Sequence, residues 1–569
     1  MLSRLLDQLD QSKSRFGRGE ATSVEKLLDI LSRRRLPDAA SLIRLHEALL
    51  FLCAFPQSAG VFDRAERILD RFHERIDRLQ DRDEDMSEFD SFEFAGMAGT
   101  TMEDTLNFDA ARWLAQRLPR HAEVVWDGYD EERAQSATWP RFLPLIEEDG
   151  DVEANIPWLR WLQAARGRDH ALPWLVRRFE QLACSAREKV ELYGSLRLPV
   201  RWRLDNLRLS RTRNRWPARH FYYHQEPLIS RSQVSLAREL DQAAPMLKKV
   251  PLAEGRRVID MIREVMLVRY RELYGTTLGD PRSVVRAEVG RGVVFYFWGI
   301  APERRLPLRA YLAGFTLKNG VPINYIEAIG LCEWIEIGFN TFYTFRGGET
   351  AWIYAQALRC LNRHMGARCI SVYPYQIGDG NDEAIESGAF WFYRKLGFRP
   401  GRRDLLRLTE REEKRIAGNP KYKTPPRTLR RLAQAHVFYE LPGSERGAWD
   451  RFSTRNLGLV VNRRMARDFD GESNRIRQAS ADKVSRALGV STAKWSGTEQ
   501  AAFENWALVL AVVPGLARWT PQEKADLVRI IRAKSGGNEM RYLRLTQRHS
   551  RLRRELLRLG SRASSVRSK

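Results

Sequence analysis

The chain of 569 residues carries 95 lysines and arginines against 72 aspartates and glutamates, a net charge of +23, with 43% hydrophobic residues. That apolar share supports several packed cores and excludes wholesale disorder. The five cysteines, Cys53, Cys184, Cys332, Cys360 and Cys369, are scattered and form no CxxC pair, which excludes a disulfide framework and a zinc ribbon and predicts reduced, buried thiols.

The excess of arginine leaves two readings open: an anionic partner such as nucleic acid, or solvated arginine faces. The first residues lack the apolar core of a signal peptide. The longest apolar run, residues 506–513, stops at Pro514 and is too short to span a bilayer. A cytoplasmic protein without a transmembrane segment is therefore expected.

Residues 1–195 read as a helical region. A helix begins at Pro37-Asp38, with Leu42, Ile43, Leu45, Leu49 and Leu50 inward, and residues 61–79 repeat the pattern. Residues 81–90 form an acidic break, and 109–118 another helix. No motif recurs at a fixed period, so the helices do not define a solenoid.

Residues 196–280 read as a basic linker with helices. Arg197, Arg201, Arg203, Arg208, Arg211, Arg213 and Arg215 interleave with Trp202 and Trp216, and the alternation over 200–204 predicts an edge strand. Base stacking with phosphate contact and a basic strand packed by its own tryptophans both fit. His220 and His224 could share a helix face, but Glu226 completes no familiar zinc pattern, so no metal is expected. Residues 232–247 and 252–274 are predicted helices.

Residues 281–442 read as a mixed α+β domain. Residues 293–300 form a buried strand, and 311–317 and 323–329 flank Lys318-Asn319-Gly320, a hairpin signal because Asn-Gly tolerates positive φ. Ile335, Ile337 and Phe339 alternate with Glu336, Gly338 and Asn340 in the next strand. Phe345-Arg346-Gly347-Gly348 breaks that strand, and Ala351, Tyr354, Leu358, Leu361 and Met365 follow at helical spacing to Gly366, a C-cap. Residues 369–375 form a strand and 385–396 a helix closed by Gly397. Residues 402–432 are a basic insertion, and 436–441 the last strand. Residues 443–569 return to helices, with an arginine-dense stretch from 540 that either grips an anionic surface or ends as a helix.

A glycine turn between strand and helix is an anion site in principle, because first-turn N–H groups have no intrahelical partner; many α/β turns need glycine only for packing. The combination here is more specific. Arg346-Gly347-x-x-x-Ala351 opening a helix, then Ala389-x-x-x-Tyr393-x-x-Leu396-Gly397-Phe398, resembles the GCN5-related N-acetyltransferase (GNAT) superfamily over residues 308–441. The resemblance implies a GNAT-like acyl-CoA N-acyltransferase fold flanked by helical N- and C-terminal regions, with acetyl-CoA or another acyl-CoA as co-substrate. It implies pantetheine contacts at Asn340, Thr341 and Phe342, a phosphate turn at Arg346, Gly347, Gly348, Thr350 and Ala351, and Tyr393 as the acid that protonates the departing thiolate.

Two positions depart from the family: Glu349 replaces the central turn glycine, and Glu386 the usual asparagine seven residues before the tyrosine. Glu349 either fills the anion site or points to solvent, and the outward pose is expected. Acyl transfer needs a neutral amine and hence a base; Glu336, on the face of Gly338 and Asn340, is the candidate. Asp379, Asp382, Glu383 and Glu386 either border an amine-bearing acceptor or are ordinary acidic charge before a helix N-terminus. The alternative function is a non-catalytic GNAT-like scaffold for an anionic partner.

Overall fold

Leucine-rich amphipathic helices build the first part of the chain, and β-branched and aromatic runs build a sheet in the second. The computed structural model describes all residues except 1, 18, 128–137, 144–157, 206, 219, 272–273 and 562–569. The chain divides into two units interleaved in sequence: Met1–Pro227 with Ile259–Thr277 and Asn319–Pro322, and Leu228–Val258 with Leu278–Lys318 and Ile323–Lys569. The architecture is mixed α+β, with one three-stranded and one nine-stranded sheet.

The first unit opens with helices Leu2–Ser12, Glu20–Arg33, Ala39–Ala54, Ala59–Asp70 and His73–Gln80. Asp38 and Ser58 cap two of them, accepting from Ser41 N–H at 2.8 Å and Val61 N–H at 3.1 Å, which satisfies first-turn donors. The helix expected over 61–79 is two helices, broken where Phe72 turns in to full burial.

Two short strands interrupt the region read as helical: Thr101–Thr105 (β1) and Ala122–Val124 (β2). Pro199–Arg203 (β3) lies between them, so it is the central strand of its sheet rather than an edge. Its Val200 and Trp202 are buried, while Arg201 pairs with Glu103 and Arg203 with Asp77. Arg211 pairs with Glu47, Arg213 with Asp70 and Arg215 with Glu66. Much of the arginine-dense stretch is thus neutralised within the unit. His220 and His224 lie on no helix; His224 is buried against Phe16, Phe55 and Tyr222.

In the second unit Lys248–Lys249 (β4), Val285–Gly290 (β5), Val293–Gly299 (β6), Ala310–Lys318 (β7), Val321–Leu331 (β8) and Trp334–Thr341 (β9) follow in spatial order. Next to β9 come Cys369–Val372 (β10), Val437–Glu440 (β12) and, outermost, Arg399–Pro400 (β11). β9 and β10 run parallel. Asn319 at φ 49° and Gly320 at φ 79° make the predicted turn between β7 and β8.

Helical content before the sheet is smaller than expected: within 232–247 the α-helix is only Leu236–Asp241, after a 3₁₀ turn at Arg231–Gln233, and the helix from Leu252 ends at Leu267. β10 ends at Val372, because Pro374 opens a 3₁₀ turn. The helix expected over 385–396 is divided into Asp382–Glu386 and Ala389–Lys395 by Gly388 at φ 65°. The basic insertion folds as helices Arg403–Gly418 and Pro426–Leu432.

The C-terminal helices Glu539–Arg548 and Ser550–Gly560 pack onto this unit. Tyr542, Leu543, Leu552, Leu556 and Leu559 are buried, Arg544 donates to the carbonyls of Arg363 and His364, and Arg553 pairs with Glu333 and Glu445. These helices are structural rather than a free basic tail; the expected cations beyond 561 lie outside the described residues. Cys53, Cys332, Cys360 and Cys369 are buried, and all five cysteines are free thiols. Among the described residues, no helix is long and apolar enough to cross a membrane.

Candidate functional site

β9 carries the two unlike faces read from its alternation. Ile335, Ile337 and Phe339 are buried, while Glu336, Gly338 and Asn340 are less so. Phe339 packs edge-on against Tyr354 of the helix Thr350–Met365, with ring centroids 4.9 Å apart. Tyr354 in turn meets Tyr393 at 5.7 Å. Both helices after the turn therefore cover one face, and Glu336, Gly338 and Asn340 look the other way.

The parallel ladder between β9 and β10 is short. It pairs Trp334 with Cys369, Ile335 with Ile370 and Glu336 with Ser371, and there it ends. β9 continues to Thr341, whereas β10 stops at Val372 and its chain turns away at Pro374. The strands part, and a cavity of about 270 Å³ lies beside the β9 extension. Asn340, Thr341, Arg346, Thr350, Gln376 and Tyr393 are among its walls.

Those walls bring together much of the expected set. Tyr393 is 4% exposed and lines the cavity. Burial pushes its phenol well above the ordinary tyrosine range. Asn340 donates to the Tyr325 hydroxyl at 2.9 Å. Phe342 is excluded from the cavity: it is buried between the rings of Phe315 and Tyr325. Ala351, in the first turn of the helix Thr350–Met365, is likewise buried.

Residues 346–351 connect strand to helix, as expected. Thr350 Oγ1 donates to the Arg346 carbonyl at 3.3 Å, and a Cβ on Gly347 would meet nothing within 4 Å. The Arg346 guanidinium pairs with Glu383, whose carboxylate also borders the cavity. Asp382, from the same acidic loop, pairs instead with Arg430.

Glu349 corrects the expected outward pose: it is fully buried. It does not fill the helix N-terminus either, for it accepts no first-turn N–H there. Its carboxylate accepts from Ile229 N–H at 3.2 Å, pairs with Arg291 and lies 3.7 Å from Lys318 Nζ. Burial, reinforced by the Arg291 charge and opposed by Glu349, lowers the Lys318 amine to about 7.

Glu336 is not among the cavity walls and is already engaged. Its carboxylate meets His436 Nε2 at 2.8 Å and Arg309 Nη1 at 3.3 Å. Burial pushes that carboxyl up, but the hydrogen bonds and charges of His436 and Arg309 outweigh it and hold the group below its ordinary value. Sequence reasoning missed Gln376, Asn381, Arg309 and His436. Only Asn381, the N-cap of Asp382–Glu386, carried a local signal; the others reach the region through strand order. Among the described residues, no group of three or more His, Cys, Asp or Glu is placed to hold a metal. Comparison with family models, curated proteins and solved structures finds no match to this chain.

Proposed function

We propose that the second unit is a GNAT-like N-acyltransferase that moves an acyl group from acyl-CoA to an amine. The observation that carries this reading is the parting of the parallel strands β9 and β10 beyond Glu336–Ser371, with a cavity at the split bordered by Tyr393. An extended pantetheine arm would pair with the β9 edge near Asn340 and Thr341, and phosphates would meet the first-turn N–H groups of Thr350–Met365. Glu349 does not compete for those donors, because its carboxylate is committed to Arg291 and Ile229. A phenol kept protonated by burial suits the acid that receives the departing sulfur.

Isothermal titration with acetyl-CoA tests the reading directly. Saturable binding is expected, with Tyr393→Phe retaining affinity while acyl transfer falls ~10²-fold or more. Absence of binding at millimolar acetyl-CoA would remove the proposal. A non-catalytic scaffold for an anionic partner is favoured by one observation: the Arg346–Glu383 pair beside the cavity, which an incoming pyrophosphate would have to open. On that reading Glu383→Gln leaves the protein unable to bind acetyl-CoA.

A further inference from the structure

Glu336 and His436 form a dyad on the sheet face opposite the helices Thr350–Met365 and Ala389–Lys395. Strand pairing fixes the face: Glu336 opposes Ser371 across the parallel ladder, Ser371 opposes Phe438, and His436 precedes Phe438 by two. Gly338 continues that face, and a Cβ there would lie 3.8 Å from Gln376 Nε2, a wall of the cavity. Glu336 is therefore about 7 Å along the strand from the cavity side of the split.

The dyad has a defined polarity. Glu336 is held ionised between His436 and Arg309, so the proton in the 2.8 Å contact belongs to His436 Nε2. In the neutral form of the imidazole the lone pair then sits on Nδ1, the ring nitrogen not engaged by Glu336. The His436 side chain is 30% exposed against 16% for Glu336, so the imidazole is the member open to a substrate. Tyr373, after β10, packs edge-on against the ring at 5.3 Å and is itself held by Arg455 at 3.1 Å. Glu327, opposite Gly338 on β8, accepts from Tyr311. Among the described residues, Glu336 and Tyr373 meet the imidazole directly, and Arg309, Arg455 and Glu327 are the charged groups one contact or one strand position further out.

We propose that His436 is the general base of the acyl transfer and that Glu336 is its positioning residue; this inference rests on the acyltransferase reading. His436 Nδ1 takes the proton that the acceptor amine sheds as its nitrogen bonds to the acyl carbon. Tyr393 gives its phenolic proton to sulfur as the carbon–sulfur bond breaks, and both groups then re-equilibrate with water. The carboxylate singled out in the sequence thus acts one residue removed from the substrate, fixing the tautomer rather than taking the proton.

The test combines three measurements on the full chain. First, ¹⁵N-histidine NMR, with the His436 signal assigned by its loss in His436→Gln, is expected to show the Nε2–H tautomer, and Glu336→Gln is expected to abolish that preference. An Nδ1–H tautomer in the wild type, or one indifferent to Glu336→Gln, overturns the proposal without reference to activity. Second, His436→Gln is expected to bind acetyl-CoA within twofold of wild type by calorimetry. Third, thiol release from acetyl-CoA with benzylamine, tyramine and spermidine as acceptors is expected to fall ~10²-fold in His436→Gln and to lose the acidic limb of its pH profile. An unchanged rate and profile in His436→Gln, or no amine-dependent thiol release by a wild type that binds acetyl-CoA, overturns the base. Wild type that binds no acetyl-CoA overturns the acyltransferase reading itself.

Discussion

Glu349 shows how a residue that looks disruptive in a motif becomes structural in the fold. Fully buried, it pairs with Arg291 and lies 3.7 Å from the Lys318 amine. Glu349→Ala is therefore expected to destabilise the protein by about 3–5 kcal/mol, because it removes one partner of a buried ion pair. Lys318→Met removes the desolvated amine itself and is expected to cost less than about 1.5 kcal/mol; urea unfolding of the pair measures the contrast. The same lysine gives a pH signature. Between about 7 and 10.5 the unfolded lysine is protonated and the folded one is not. The unfolded state then binds more protons, so stability rises with pH across that window and is flat on this account outside it. Lys318→Met is expected to remove that slope, measured as the urea midpoint against pH. Glu336 works in the opposite range: its folded carboxyl sits below the ordinary value of 4.5. Its contribution is present above 4.5 and lost as pH falls through the folded value, and Glu336→Gln flattens that acid loss.

At the scale of elements, the hairpin and the strand–turn–helix were legible because each rests on local chemistry. Asn319 and Gly320 both take positive φ, which the Asn-Gly pair tolerates. Gly320 has a second constraint that the sequence did not show: a Cβ there would lie 2.2 Å from the Trp216 carbonyl oxygen. Gly320→Ala is thus expected to destabilise by at least the 1–3 kcal/mol of a strained backbone, whereas Gly347→Ala, with open space around it, should be well tolerated; thermal unfolding compares the two. Gly366 ended its helix at φ 70° as its position implied. Gly388, also left-handed, divided a helix that apolar spacing alone ran together. Periodicity reports which side chains are buried, and a kink that keeps Ile385 and Tyr393 buried is invisible to it.

For the whole molecule, the charge of +23 is a net excess, and many of the described arginines are matched within their own unit. Arg201, Arg203, Arg211, Arg213 and Arg215 all have carboxylate partners in the first unit. In the second, Arg551, Arg553 and Arg558 are paired on helices whose leucines are buried. Deleting the chain from Met540 onward removes Tyr542, Leu543, Leu552, Leu556 and Leu559 from the core, at about 1.5–3 kcal/mol each. Loss of the cooperative thermal transition is therefore expected, by circular dichroism. A retained transition at an unchanged temperature would show that these helices are dispensable.

The sequence by itself determined the features that local physics sets: the apolar periodicity of the helices, the two faces of β9, the Asn-Gly hairpin, the glycine turn before Thr350 and the reduced cysteines. Tertiary structure alone decided where charged residues find their partners. Glu349 meets Arg291, 58 residues away, and Glu336 meets His436, 100 residues away. Neither distance is encoded in a spacing rule, because both depend on which strands lie side by side. The parting of β9 from β10 is likewise a product of register and of Pro374, and it is where the candidate site sits.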